Sequence, residues 1–422
     1  MAKKQFYATL RKELARIDQV GTTKRHERVI ERFTNDVPPQ AVIDGNPRVI
    51  FNSNDYLGLR FHPKLREAEE DASRIYGTGP GAVRFISGTL QIYKNLEQAI
   101  AKFHGRDDAL VISSAFAANV GVISSLIKGQ SKDSVVSGDT LVVSDELNHR
   151  SIIEGIRVAG LAPEQKAIFK HMNPQDLGRI LKENKGKFDR VVVVTDGVFS
   201  MLGECQNLLD LRRIIDKYDL SYKEGVILLV DDAHGVGCFG KTGRGAEDVC
   251  GAKADVLVGT LGKGFGADGG YVTGDQVVMD YLRESVATYI YSNSISPGTA
   301  GAGLAALKIL QSREGTKLLT RLKANISLFK KVMKAAGFKF AADSNHPIQP
   351  LLIGNTEITK KLTIGLFNEG YLVTNINYPV VPAGRDEIRI QISAAHTEKG
   401  IEDFVSTLQK VAKRVGFKEL PG

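Results

Sequence analysis

Cysteine is scarce in this chain, with three in 422 residues: Cys205, Cys238 and Cys250. Their spacing fits no metal-ligand pattern and offers no even disulfide framework. A reduced, cytoplasmic setting is therefore the simplest expectation, and no metal is expected. No apolar stretch approaches the roughly 18 residues of a membrane-spanning helix. The opening Met1-Ala-Lys-Lys-Gln-Phe6 lacks the apolar core of a secretory signal. Internal repeats and low-complexity tracts are also missing. Bases exceed acids, 56 against 48, for a net charge of +8. They are spread along the chain without interleaved aromatics, so a nucleic-acid surface is not expected. Such a balance still attracts polyanionic small molecules.

What remains is an ordinary globular composition, 42% hydrophobic and 25% charged, on a chain long enough for two domains. Residues 5–33 carry acids and bases at helical spacing and predict an amphipathic helix. Short apolar runs follow at 109–112, 140–143, 191–194, 226–230 and 256–258. None alternates with polar residues, as expected for strands buried on both faces, and helical patterns lie between them. The fold class is therefore α/β: a large domain with a mainly parallel, helix-wrapped sheet, plus a smaller C-terminal α+β domain. The expected division is 1–60 for an N-terminal helix and strand, 61–300 for the large domain and 301–422 for the small one. In the last part a long helical region covers 298–336. Strands are expected at 348–353, 371–375 and 388–392, and a final helix at 401–415.

Ligands of open α/β sheets lie beyond the carboxyl ends of the strands, and the chemically informative residues cluster there. The run 226–230 opens onto Asp231-Asp-Ala-His234. The run 256–258 leads into Gly259-Thr-Leu-Gly-Lys-Gly-Phe-Gly266. A lone lysine among glycines serves equally well to bind an anion. With Asp231 upstream the pair suits pyridoxal 5′-phosphate (PLP): Lys263 as the amine for the aldehyde, Asp231 as the anion for the ring nitrogen. His234 is placed to reach the ring oxygen, and His149, in the loop after another run, is a candidate to stack on the ring. Ser114, Ala115 and Phe116 begin a helix, whose free N–H groups suit the phosphate. Thr260, three residues before the lysine, is a second phosphate donor; Ser292 and Ser294 are a third candidate, reaching from a partner subunit. Arg389, in a C-terminal strand, has the fork geometry for a carboxylate, although spacing alone also allows an edge-strand surface arginine.

One motif points elsewhere. Residues 235–242, Gly-Val-Gly-Cys-Phe-Gly-Lys-Thr, literally match the phosphate loop Gly-x4-Gly-Lys-Thr, so a P-loop nucleotidase is the remote alternative. Its context is wrong, because Asp231-Asp-Ala-His intervenes after the strand and residues 243–251 make a poor long helix.

Read together, these residues resemble the α-oxoamine synthase family of fold-type I, aspartate aminotransferase-like PLP enzymes. The resemblance runs from Asn52-Ser-Asn-Asp-Tyr-Leu-Gly-Leu59 through Arg84-Phe-Ile-Ser-Gly-Thr89, Asp196-Gly-Val-Phe-Ser-Met201 and the two motifs above to Ser393-Ala-Ala-His-Thr397. It implies an acyltransferase that condenses a small amino acid, glycine first, with an acyl-CoA, acetyl-CoA first. Decarboxylating acyltransfer is the alternative within the family. It further implies a homodimer with shared active sites, catalytic roles for Lys263, His149, Asp231 and His234, and a ring-oxygen contact from Ser200. Asn54 with Arg389 would orient the substrate carboxylate.

Overall fold

The computed structural model describes residues 2–20, 23–131, 133–136, 138–377, 381, 382 and 384–417. Its centre is a seven-stranded sheet in the order Asp108–Ile112, Gly270–Gly274, Val256–Thr260, Val226–Asp231, Arg190–Asp196, Thr140–Asp145, Lys166–Phe169. Gly270–Gly274 runs antiparallel to both its neighbours, and the remaining pairs are parallel. The four valines at 191–194 are fully buried, as a strand covered on both faces requires. Burying one such side chain contributes roughly 1.5–3 kcal/mol, so these runs fix the sheet's centre. Parallel pairing puts the carboxyl ends of 140–145, 190–196, 226–231 and 256–260 on one edge, and Asp196 faces Asp231 directly in register.

The helices between the strands start where the sequence supplies caps. Asn173 and Asn207 accept the N–H of Asp176 and Asp210, acids that also suit a first helical turn. Two smaller sheets flank the large one. Arg32–Phe33, Ala41–Ile43 and Asn46–Ile50 are joined by Tyr371–Leu372, which pairs parallel to the last of them. Glu387–Gln391 lies between Ile348–Leu352 and Thr374–Ile376. One apolar core links Phe51 and Tyr93 to Leu307, Phe329 and Phe404, so N-terminal, central and C-terminal residues pack together.

Several sequence expectations change. The N-terminal helix is Ala2–Val20, and residues 23–31 are not helical. Its apolar positions Phe6, Leu10 and Leu14 do not repeat beyond Val20, where glycine and threonines follow in the sequence. The region 298–336 is two helices, Pro297–Leu310 and Arg313–Ala335, and Ser312 caps the second. Residue 300 thus falls inside a helix. The expected strand at 371–375 is two short strands in different sheets. Lys166–Phe169 and Gly270–Gly274 had not been expected; the first has exposed positions at an edge, and the second is bounded by glycines.

The apparent phosphate loop has another explanation. Gly237 has φ +87°, and a Cβ there would lie 3.0 Å from the backbone of Gly264, beside Lys263. A Cβ on Gly235 would lie 2.3 Å from Oδ1 of the fully buried Asp232. These glycines serve close packing against the lysine loop. Thr242 is bonded through its N–H (2.5 Å) and hydroxyl (2.9 Å) to Asp248, and the helix that follows has only five residues, Ala246–Cys250. This overturns the nucleotidase alternative. Gly237→Ala should cost roughly 1–3 kcal/mol of stability in urea denaturation, while Lys241→Ala, on the surface, should change it by less than about 0.5 kcal/mol.

Candidate active site

At the shared carboxyl edge lies a cavity of 270 Å³, lined among others by Phe116, His149, Asp196, Asp231, His234 and Lys263. Ala115, Ser200 and Thr260 also line it. Residues far apart in the sequence therefore converge as the strand ends require.

Lys263 follows Val256–Thr260 in a turn closed by Gly266 N–H to the Lys263 carbonyl at 3.0 Å. Its ammonium makes no hydrogen bond or ion pair among the described residues. Burial lowers its pKa, against the opposing charges of Asp231 and Asp196. Asp231 is better supplied: Oδ1 accepts the N–H of Ala233 at 3.0 Å, and Oδ2 accepts Nδ2 of Asn119 at 2.5 Å. Asp196 accepts the N–H of His149 at 2.9 Å. Burial and the neighbouring Asp231 charge push the Asp196 carboxyl well above the usual carboxylate range. The two carboxyls thus sit in distinct environments although they are paired in register.

His149 caps the helix Arg150–Val158, with its Nδ1 2.7 Å from the Ser151 hydroxyl. Burial lowers its pKa, with Asp231 opposing and Lys263 adding to the shift. His234 Nδ1 is 2.8 Å from the Tyr56 hydroxyl. His346 Nε2 donates to the His234 carbonyl at 2.9 Å, so Tyr56 holds the ring and His346 the backbone. Burial, then Lys263 and Arg389, carry His234 well below the ordinary histidine range, which leaves it neutral.

The Ser114 hydroxyl is used as the N-cap of Ala115–Ile127, accepting from Ala117 N–H at 3.1 Å. The N–H groups of Ala115 and Phe116 make no hydrogen bond among the described residues. A thirteen-residue helix thus presents free donors to the cavity. The Thr260 hydroxyl donates to the Gly269 carbonyl at 2.9 Å and accepts from Gly262 N–H at 3.1 Å. Ser292 and Ser294 are not brought to this cavity. Ser292 bonds within its own loop, and the buried Ser294 hydroxyl has no hydrogen-bond partner among the described residues.

Arg389 lies on the central strand of the C-terminal sheet, not on an edge, and its buried Nε and Nη2 have no hydrogen-bond partner among the described residues. Asn54 accepts from Gln391 Nε2 at 3.0 Å and lies 3.2 Å from the Tyr56 hydroxyl, again through Oδ1. Sequence reasoning gave no role to Asn119, Ser151, Asp196, Tyr56 or His346. Asn119 lies four residues after Ala115, hence on the same helix face, and that spacing was the available signal.

The donor set fits PLP: an unpartnered amine, a hydrogen-bonded carboxylate, imidazoles and a free helix N-terminus. The comparisons agree. The family model "Aminotransferase class I and II" matches residues 47–408. The 2-amino-3-ketobutyrate coenzyme A ligase of Escherichia coli K12 is 36% identical over 416 residues, 98% of each chain. An 8-amino-7-oxononanoate synthase of Thermosipho melanesiensis is 36% identical over 377 residues, 89% of this chain and 91% of its own. A serine palmitoyltransferase from S. paucimobilis, solved with bound PLP, superposes with a TM-score of 0.85 at 27% identity, covering 98% of both chains. Fold and site define a PLP-dependent transferase of the aminotransferase-like type. The chain belongs to the α-oxoamine synthase family of these enzymes.

Asn119→Ala would leave Asp231 Oδ2 without its side-chain donor. It should cost roughly 1–3 kcal/mol in urea denaturation.

Proposed function

We propose that the chain condenses glycine with acetyl-CoA, retaining the glycine carboxylate. The observation that carries this reading is Arg389: its charge acts on Lys263 and His234, and two of its buried guanidinium nitrogens, without hydrogen-bond partners among the described residues, suit an amino acid's carboxylate. Similarity over 98% of both chains to a 2-amino-3-ketobutyrate coenzyme A ligase supports the acetyl donor. The equal identity to an 8-amino-7-oxononanoate synthase favours a second reading, a longer acyl chain with loss of CO2.

When bound, PLP supplies an aldehyde that takes up amines and a ring that withdraws electrons from the substrate's α-carbon. In our reading Lys263 anchors it and, once free, uses its neutral amine to accept the α-proton. The lowered pKa of Lys263 favours that form. Asp231, its orientation fixed by Asn119, would hold the proton on the ring nitrogen. The N–H groups of Ser114, Ala115 and Phe116 take the phosphate, with Thr260 beside them. His149 would cover the ring, and Ser200 and His234 would hold its oxygen. Asn54 and Arg389 orient the carboxylate.

The homodimer belongs to the same proposal. Phe85, Ile86 and Tyr291 are exposed apolar side chains, and Ser292 and Ser294 would serve a partner's phosphate site. A cytoplasmic location is supported by the three free thiols.

Borohydride treatment of the loaded wild type should leave cofactor fixed on the peptide carrying Lys263; Lys263→Ala should retain none. Arg389→Gln should raise KM for glycine by about tenfold or more while kcat falls less, read from thiol release. A panel of acyl-CoAs against glycine, alanine and serine decides between the two readings. Fastest release with acetyl-CoA and no CO2 is expected; preference for a longer chain with CO2 loss sinks the first.

A further inference from the structure

We propose that His171 is a positioning residue for the cavity: its imidazolium ties the turn leading to His149 to the hairpin that carries Ser200. His171 lies in the loop after Lys166–Phe169, and nothing in the sequence motifs marks it. Nδ1 is 3.0 Å from Asp145 Oδ1, and Nε2 is 3.1 Å from Glu204 Oε2. The two carboxylates sit on different elements. Asp145 ends the strand Thr140–Asp145, four residues before His149, and also receives the N–H of Leu147 at 2.9 Å. Glu204 lies in a tight hairpin in which Phe199 N–H donates to the Glu204 carbonyl at 2.9 Å and Val198 bridges Cys205. Val198 and Ser200, from that hairpin, line the cavity. The His171 ring also stands edge-on to Phe199, with centroids 4.3 Å apart.

Two further observations make this a built device. Met172, the next residue, has φ +51°, a left-handed conformation disfavoured for a residue with a side chain. Its N–H is aimed at Asp145 Oδ2, 3.0 Å away. Gln206, just past the hairpin, donates to the same oxygen at 3.3 Å. Asp145 thus gathers donors from all three segments, and His171 closes the set with a charge.

The surroundings keep that charge. Facing His171 are Asp145, Glu204 and Glu146, whose Oε1 accepts the His171 N–H at 3.0 Å; Lys170 is its neighbour in the loop, with its N–H on Asp176 at 3.0 Å. Burial alone would lower the imidazole pKa. The hydrogen bonds to Asp145 and Glu204 outweigh it and raise the value to about 9. A raised folded-state pKa stabilises fully below the ordinary histidine range and is lost as pH rises through about 9. The Asp145 charge also acts on Asp196 in the cavity, so losing the imidazolium alters the field there as well as the geometry.

The inference rests on the cavity being the catalytic site, so the test combines turnover with measurements that need no substrate. In the PLP-loaded enzyme, Glu204→Gln and His171→Asn should lower kcat roughly tenfold. KM for glycine should stay within about twofold, and the alkaline limb of kcat in Glu204→Gln should move to lower pH. By NMR, the ring signal absent from His171→Asn should titrate near pH 9 in the wild type. It should titrate lower in Glu204→Gln, and amide exchange over 198–205 should quicken in His171→Asn. Unchanged kcat and pH profile with only a lower Tm would make His171 merely structural and overturn the proposal. So would a ring titrating in the ordinary range with unaltered exchange. If no acyl-CoA turns over, the proposed function fails, and titration and exchange alone decide the clamp.

Discussion

Everything at the site follows from burying two carboxyls side by side next to a buried amine. Parallel register forces Asp196 and Asp231 together at the end of adjacent strands, and repulsion there grows as water is excluded. The fold resolves the conflict by unequal supply. Asp231 receives a backbone N–H and the Asn119 amide, whereas Asp196 receives the His149 N–H and is pushed up by burial. One pair of neighbouring aspartates thus sits in two different hydrogen-bonding environments. Lys263 completes the balance, because burial lowers it while both carboxyls pull the other way.

Much of this was legible in the sequence where the chemistry is local. Lys263 in its glycine run, Asp231 and His234 three residues apart, and Ser114 at a strand-to-helix junction each carry their own signal. Asn119, Ser151 and Asp196 were quieter, since their roles depend on which strands lie side by side. Tyr56 and His346 reach His234 from 178 and 112 residues away, a distance no motif spans. Strand recognition failed for physical reasons too: Lys166–Phe169 is partly exposed at an edge, and Gly270–Gly274 is short between glycines. The false phosphate loop failed the opposite way, with the right letters placed for packing against Gly264 and Asp232.

The comparisons sharpen the class of protein more than its substrate. A ligase and a synthase match at equal identity, so the conserved scaffold is that of the cofactor chemistry. Asp196, Asp231 and Lys263 lie together at the strand ends. Arg389 brings a buried positive charge from the C-terminal sheet, with two nitrogens unpartnered among the described residues.

Asn52 donates to Thr374, 322 residues later, and Tyr371–Leu372 supplies the parallel neighbour of Asn46–Ile50. On a chain made from its N-terminus, that early strand pairs at once with Ala41–Ile43, but its other edge stays open until almost the whole polypeptide exists. Such long-range closure makes assembly slow and leaves an unpaired edge exposed meanwhile. Asn54 from the beginning and Gln391 from the end, two residues past Arg389, meet only at that last step. Synthesis therefore finishes the large sheet and the lysine loop first, and the join between the two ends of the chain is the final contact this polypeptide makes.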